Sequence, residues 1–135
     1  MNAPTWSLRL AEPSDSPGVV ETVRQVYEEY GFTWEAEGYH ADLYDLAAYC
    51  DLRQARFWVV ESRGEVVGCG GILFHPRIPG ELGSVVMLND YERVAGTESQ
   101  IIRMYVRPSA RRQGIAGAIM GQIVRQAPGD GIEIW

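Results

Sequence analysis

The sequence predicts an α+β or α/β domain with the element order β-α-α-β-β-β-α-β. Two observations carry this prediction. Two apolar runs, 57–62 and 65–74, are joined by an Arg-Gly pair, which is typical of an antiparallel hairpin inside a sheet. Later, an apolar run over 99–106 precedes a helical pattern over 114–126 and a further apolar run, which indicates a strand–helix–strand crossover.

The first half of the chain supplies one strand and two helices. Apolar residues alternate with polar or small ones over 5–11, which predicts a strand that ends before Pro13. A Ser-Pro start at 16–17 opens a pattern of apolar residues at helical spacing, and Gly31 suits the end of that helix. A second helical pattern covers 37–52.

The remaining segments complete a single domain over residues 1–135. Frequent Pro and Gly over 76–98 predict a loop, with 83–88 as a candidate strand extension. The last apolar run, 131–135, predicts a final strand. Because no repeat, linker or low-complexity segment interrupts the chain, one core is expected.

Charge and composition narrow the classes of partner. A formal net charge of -6 disfavours a nucleic-acid backbone and suits a small cationic partner such as an amine. No apolar run approaches the roughly 18 residues of a membrane span. The N-terminus lacks a secretory signal, and Cys50 and Cys69 have no paired-motif spacing. We therefore expect a cytoplasmic protein with neither a membrane nor a nucleic-acid partner.

The junction between the 99–106 strand and the following helix, "VRPSARRQGIAGAIM" from Val106 to Met120, carries the functional signal. The first N–H groups of a helix lack carbonyl partners and lie at the positive end of the helix dipole, so they can bind an anion. Gly114 leaves the backbone accessible, and Arg111 and Arg112 add positive charge. The alternative is an ordinary turn with solvated arginines, and spacing alone does not separate the two.

Other phosphate and metal motifs are absent from the sequence. No Walker motif occurs, and the "GCGG" at 68–71 lacks dinucleotide-binding spacing, so those glycines indicate a bulge or a close backbone approach. His40 and His75 lack metal-ligand spacing and are expected to be surface or loop histidines. We expect no metal site.

The segment "IIRMYVRPSARRQGIAGAIM" resembles the acetyl-CoA-binding motif of the GCN5-related N-acetyltransferases, [RQ]-x-x-G-x-[GA], in which Arg111, Gly114 and Ala116 match. Val106 and Pro108 precede the motif at the distance typical of the family. The order of the elements before it also resembles that family. The resemblance implies a three-layer α/β fold, with a mixed, mainly antiparallel sheet and helices on both faces.

The resemblance also implies a site for acetyl-CoA as co-substrate. Backbone amides from Arg112 to Gly117 would hold the pyrophosphate, and a bulged strand would offer backbone groups to the pantetheine arm and the acetyl carbonyl. The amine would attack directly, without a covalent enzyme intermediate. The implied cofactor-binding residues are Met104, Tyr105, Val106, Arg111, Arg112, Gln113, Gly114, Ile115, Ala116 and Gly117.

The C-terminus departs from the family pattern, which continues with a further helix and strand. We therefore expect a C-terminally short domain that is a truncated chain, a natural fragment, or a short form completed by another chain. An unfinished apolar strand at 131–135 predicts a homo-oligomer. The tyrosine that often serves the family as general acid has no counterpart here. Glu98 is the nearest candidate for the general base, because Gln100 is not a useful proton acceptor.

Together these expectations describe an N-acetyltransferase that moves an acetyl group from acetyl-CoA to a primary amine of a small molecule or peptide. Two alternatives stay open. The chain could be a CoA-binding or assembly module without turnover, which the short C-terminus favours, or a plain structural domain, which the phosphate-binding pattern disfavours.

Overall fold

The computed structural model describes residues 5–53, 55–74, 78–81, 83–95, 97–126 and 132–134. The strands and helices follow one another in the order β1 Trp6–Leu10, α1 Ser16–Tyr30, α2 Leu46–Arg53, β2 Ala55–Ser62, β3 Glu65–Phe74, β4 Val85–Leu88, β5 Tyr91–Val94, β6 Thr97–Val106, α3 Ile115–Gln126 and β7 Ile132–Ile134.

The main sheet has the strand order β1-β2-β3-β6-β7. The pairs from β1 to β6 are antiparallel, whereas β7 runs parallel to β6 and pairs with its first residues, Thr97–Ser99. The predicted hairpin and the strand–helix–strand crossover are therefore confirmed. The mixed, mainly antiparallel sheet agrees with the predicted fold class.

Two apolar cores lie on opposite faces of this sheet. On one face, α1 packs Val19 and Val23 against Val59 and Cys69. On the other face, the apolar side of α3 packs against β2 and β3. Each fully buried aliphatic side chain contributes about 1.5–3 kcal/mol to folding, so both faces need a helical cover. The chain thus forms the three layers that the family resemblance implies.

The first helix ends where the sequence predicts. Gly31 adopts a left-handed conformation, with φ of 71°, and its N–H donates to the carbonyls of Tyr27 and Glu28. The N–H of Phe32 also donates to the Tyr27 carbonyl, at 2.9 Å. These bonds satisfy carbonyl groups that would otherwise lack partners at the helix end.

The predicted helix over 37–52 is wrong in its first half. Turns cover 36–40, a 3₁₀ turn covers Ala41–Tyr44, and only Leu46–Arg53 is α-helical. Asp45 breaks the pattern with φ of -145° and ψ of 77°, and its carboxylate accepts a hydrogen bond from the Ala48 N–H at 3.1 Å. The tertiary contacts of this segment outweigh its local helix propensity.

The predicted loop over 76–98 is also partly wrong, because it contains a second, two-stranded sheet of β4 and β5. The strands are joined by Asn89 and Asp90, which have φ of 52° and 68°. Two consecutive left-handed residues are what a type I′ hairpin turn requires. The predicted strand extension at 83–88 is confirmed as β4, but it belongs to this separate sheet.

The glycines of β3 allow close approach of neighbouring groups, as the sequence predicts. A Cβ on Gly68 would lie 2.9 Å from Ile115, and one on Gly70 would lie 2.7 Å from Ile119. A Cβ on Gly71 would lie 2.8 Å from the carbonyl oxygen of Arg56. Side chains at these glycines would therefore push α3 away from the sheet and β2 away from β3.

We expect Gly71→Ala to lower the free energy of unfolding by about 1–3 kcal/mol, because the Arg56 carbonyl belongs to a paired strand and cannot move aside. Gly121→Ala in α3 is the control, since its Cβ would meet only the flexible Arg125 side chain, at 3.4 Å. That change should stabilise the protein by about 0.5–1 kcal/mol through helix propensity. Urea unfolding measures both, and equal effects would contradict the close-packing argument.

Candidate active site

The turn between β6 and α3 builds the candidate anion site. After β6 ends, the Arg107 N–H donates to the Val67 carbonyl at 2.8 Å, and a 3₁₀ turn follows over Pro108–Ala110. Arg112 and Gly114 then adopt left-handed conformations, with φ of 65° and 78°. The first α-helical hydrogen bond, at 3.0 Å, runs from the Ala118 N–H to the Gly114 carbonyl.

The backbone of this turn is exposed and free of obstructing side chains. N–H groups in the first turn of a helix have no intrahelical partner, and here they belong to residues 115–117. A Cβ added at Gly114 or at Gly117 would meet no atom within 4 Å, because both residues border open space. The turn therefore fits a bound anionic group.

The turn opens onto a cavity of about 580 Å³. Nine of the predicted cofactor-binding residues line it, and Gln113 is an exposed residue of the same turn that does not. Val26 and Tyr30 of α1 and Ala110 complete the wall. Sequence reasoning missed Val26 and Tyr30, because only the packing of α1 beside β6 brings them to the site. It also missed Ala110, which directly precedes Arg111 in the same turn. The predicted lining residues are Met104, Tyr105, Val106, Arg111, Arg112, Gly114, Ile115, Ala116 and Gly117.

The two arginines of the turn differ in their partners. Arg111 forms a two-point ion pair with Glu29 of α1, with nitrogen–oxygen distances of 2.7 and 2.8 Å. This contact with Glu29 raises the pKa of Arg111 above its ordinary value. Within the described residues, Arg112 has no acidic partner. The predicted positive rim therefore has one uncompensated arginine rather than two.

The predicted bulge in the strand before the motif is confirmed. Cys69 of β3 lies opposite Tyr105, and Gly71 lies opposite Ile102, so Gly70 faces both intervening residues of β6. The first of these, Arg103, has φ of 51°. Over the described residues, β7 pairs with only the first three residues of β6, which leaves the edge near the bulge without a strand partner.

A second cavity, of about 560 Å³, borders the preceding stretch of β6. One wall comes from β6 and from Leu73 of β3, and the other comes from the connection between α1 and α2. Its lining residues are Gly38, Tyr39, Ala41, Asp42, Leu73, Gln100, Ile101, Ile102 and Arg103. The two cavities therefore meet different parts of one strand, with the bulge between them.

The predicted general base, Glu98, lies near the start of β6. The backbone of Glu98 pairs with Glu133 of β7, but its side chain lies outside the described part of the chain. Tyr105, on the cavity wall, is protonated at neutral pH like an ordinary tyrosine, and burial raises its pKa further, to about 12.

His40 lies in the turns at 36–40, as expected of a loop histidine, but it is fully buried rather than at the surface. His75 lies outside the described residues. The His40 Nδ1 accepts a hydrogen bond from the Glu35 N–H at 3.1 Å, and its ring stacks on Trp34 with 4.0 Å between centroids. Aromatic residues lie on both sides of His40 in the sequence, and this pattern could have indicated that His40 is buried. Within the described ranges, no group of three or more His, Cys, Asp or Glu could hold a metal ion.

Comparison with known proteins agrees with this geometry. Residues 23–135 match the Acetyltransferase (GNAT) family, and the chain belongs to that family. A protein of Escherichia coli (strain K12), "Uncharacterized N-acetyltransferase YjgM", is 31% identical over 119 residues. That alignment covers 84% of this chain and 59% of the relative, so the chain spans about three fifths of the relative's length.

Solved structures share the fold at lower identity. A predicted acetyltransferase from Clostridium acetobutylicum, determined with acetyl-CoA, has a TM-score of 0.64 and 19% identity and covers 96% of this chain and 80% of its own. A GNAT-family acetyltransferase from Staphylococcus aureus Mu50 has a TM-score of 0.65 and 14% identity over 89% of this chain and 64% of its own.

In the described part of this chain, no helix has the length and apolar content needed to cross a membrane.

The buried histidine predicts a pH dependence of stability. Burial lowers the pKa of His40 below its ordinary value of 6.5, and the Arg103 guanidinium adds to this effect. His40 therefore binds a proton more readily in the unfolded chain than in the folded chain. The free energy of unfolding should consequently fall as the pH drops below about 6.5. Urea unfolding between about pH 7.5 and about pH 5.5 measures the slope, before most carboxylates titrate.

His40→Phe should flatten this slope, because it keeps an aromatic ring and removes the titrating group. His75→Gln, which removes the other histidine of the chain, is the matched control. A parental slope in His40→Phe would contradict the assignment.

Proposed function

We propose that this protein transfers an acetyl group from acetyl-CoA to a primary amine of a small molecule or peptide. The observation that carries the proposal is the exposed backbone of the β6–α3 turn, which opens onto a cavity bordered by a bulged strand. An anion site and an adjacent strand edge with no partner among the described residues suit a molecule with a diphosphate at one end and an amide-containing arm.

The diphosphate would bind to the amides of residues 112–117, where Arg112 supplies the uncompensated positive charge. The first-turn amides act through hydrogen bonds and through the helix dipole. Arg111 would contribute less, because Glu29 already occupies its guanidinium.

The acetyl end would lie beside the backbone of Met104–Val106. The edge of β6 offers N–H and C=O groups there, and an amide can polarise the acetyl carbonyl. The acceptor amine would enter from the second cavity, which meets the same strand on the other side of the bulge.

The proposed reaction is a direct transfer. A neutral amine nitrogen forms a bond to the acetyl carbon, the carbon–sulfur bond breaks, and the thiolate leaves and takes up a proton. The proton of the attacking amine passes to a base, for which Glu98 remains our candidate.

The test is release of free thiol from acetyl-CoA in the presence of a panel of primary amines, followed by mass detection of the acetylated amine. Acetyl-CoA binding without any amine-dependent thiol release would favour the alternative, a CoA-binding module without turnover. If the protein neither binds acetyl-CoA nor releases thiol, both the transferase and the CoA-binding module are rejected.

Gly117→Val tests the anion site. The valine side chain would project into the cavity, and Gly117 needs no left-handed conformation, so the fold should survive. We expect acetyl-CoA affinity measured by calorimetry to fall at least about tenfold, or about 1.4 kcal/mol. Gly114 is a less suitable target, because any side chain there would be strained at φ of 78°.

Gly121→Val is the matched control, since it lies one turn further along α3 and does not line the cavity. Its affinity should equal that of the parent. Equal affinity in Gly117→Val would remove this turn as the diphosphate site.

Glu98→Gln tests the proposed base. We expect kcat to fall by about a hundredfold or more while acetyl-CoA binding stays unchanged, because the amide cannot accept the proton. Glu65→Gln makes the same charge change at an exposed residue at the β2–β3 turn and serves as the control. A kcat for Glu98→Gln within a few-fold of the control would exclude Glu98.

A further inference from the structure

Arg103 occupies an unusual conformation at the boundary between the two cavities. It is one of the two β6 residues that face Gly70 across the bulge, and its φ is 51°. L-residues other than Gly, Asn and Asp rarely adopt this left-handed region, because Cβ crowds the following carbonyl. Such a conformation persists only where the surrounding contacts hold it in place.

The side chain of Arg103 is held by the connection between α1 and α2. Its Nη2 lies 2.7 Å from Oδ1 of Asp42, and its Nε donates to Oδ2 of the same carboxylate at 3.3 Å. Nη2 also donates to the Tyr39 carbonyl, and the guanidinium carbon lies 4.2 Å from the centroid of the Tyr39 ring. The exposed fractions of the Arg103 and Asp42 side chains are only 10% and 15%.

The backbone of Arg103 is fixed from the opposite direction. Its carbonyl accepts a hydrogen bond from the Cys69 thiol at 3.3 Å, and Cys69 is fully buried in the α1 core. Arg103 is thus held by β3 through its carbonyl and by the α1–α2 connection through its guanidinium. Neither contact is local in sequence.

These contacts join groups that serve different substrates in the proposed reaction. Met104, the next residue, lines the cavity assigned to acetyl-CoA. Tyr39 and Asp42 line the second cavity, which is assigned to the amine. The Arg103–Asp42 ion pair is a mostly buried connection between the wall of the amine cavity and the bulge beside the acetyl site.

We propose that Arg103 is a positioning residue, whose ion pair with Asp42 fixes both the bulge at Met104 and the wall of the amine cavity. The proposal rests on the acetyl-transfer function proposed above. Removing the pair releases the left-handed conformation of the bulge and frees the α1–α2 connection. Small displacements of a reacting group lower rates strongly, so both effects reach the chemistry.

Asp42→Asn is the first test, because it removes the charge and keeps the size of the side chain. We expect kcat to fall at least about tenfold and the amine KM to rise. The affinity for acetyl-CoA should change by less than about twofold, because the anion site at residues 112–117 is untouched. Asp45→Asn is the matched control, since asparagine still caps α2 and no contact joins Asp45 to Arg103 in the described residues.

Arg103→Gly separates the two effects. Glycine adopts φ of 51° without strain but cannot bind Asp42. We therefore expect its kcat to exceed that of Asp42→Asn, whereas its amine KM should rise as much. Arg103→Lys keeps a positive charge opposite Asp42 and should fold even if Asp42→Asn does not, with an intermediate loss of kcat/KM because the two-point contact is lost. A merely structural role would lower stability and leave both kinetic constants of the folded protein unchanged.

Backbone NMR supplies a readout that does not need turnover. The amide resonances of Met104 and Gly70 should shift in Asp42→Asn and stay at their parental positions in Asp45→Asn. If the parent protein shows no turnover, the proposed function is rejected, and the NMR measurement then decides the role of Arg103. Unshifted amides, or kinetic constants in Asp42→Asn equal to those of Asp45→Asn, would overturn the proposal.

Discussion

The close approach of α3 to β3 is the constraint on which the candidate site depends. Cβ atoms on Gly68 and Gly70 would lie only 2.9 and 2.7 Å from Ile115 and Ile119 of α3, so the absence of side chains at these two glycines sets the distance between helix and sheet. That distance places the first turn of α3 beside the end of β6. The exposed amides of the turn and the bulged strand therefore border one cavity. A helix held further out would separate the anion site from the strand edge.

The site consequently relies on backbone groups more than on side chains. The amides of the β6–α3 turn and the edge of β6 bear the features that suit acetyl-CoA, and they depend on the left-handed residues Arg103, Arg112 and Gly114. Glycine adopts such a conformation freely, but the two arginines need support from elsewhere in the fold. For Arg103 that support is Asp42, which is 61 residues away in the sequence. The backbone that borders the proposed acetyl site is therefore in contact, through Arg103, with the connection between α1 and α2.

Prediction from the sequence succeeded where a local signal was sufficient. The cap at Gly31, the β2–β3 hairpin and the β6–α3 turn each depend on neighbouring residues, and all three are confirmed. The Asn89-Asp90 turn was also a local signal, but the Pro and Gly residues before it masked the hairpin. The pairing of Arg111 with Glu29 depends on distant elements that the sequence alone does not bring together.

The segment 36–45 shows why the second cavity, which we propose for the amine, is harder to predict than the β6–α3 turn. Its helical pattern is real, yet the segment folds as turns because His40 is buried among aromatic rings and Asp42 reaches Arg103. A continuous α-helix would carry these side chains around its axis, about 100° per residue, and could not keep both contacts. The shape of the second cavity thus follows from tertiary contacts rather than from local propensity. A sequence can therefore show an acetyl-CoA-binding motif without indicating the class of amine. The motif residues are neighbours in the sequence, whereas the residues that line the second cavity come from distant segments.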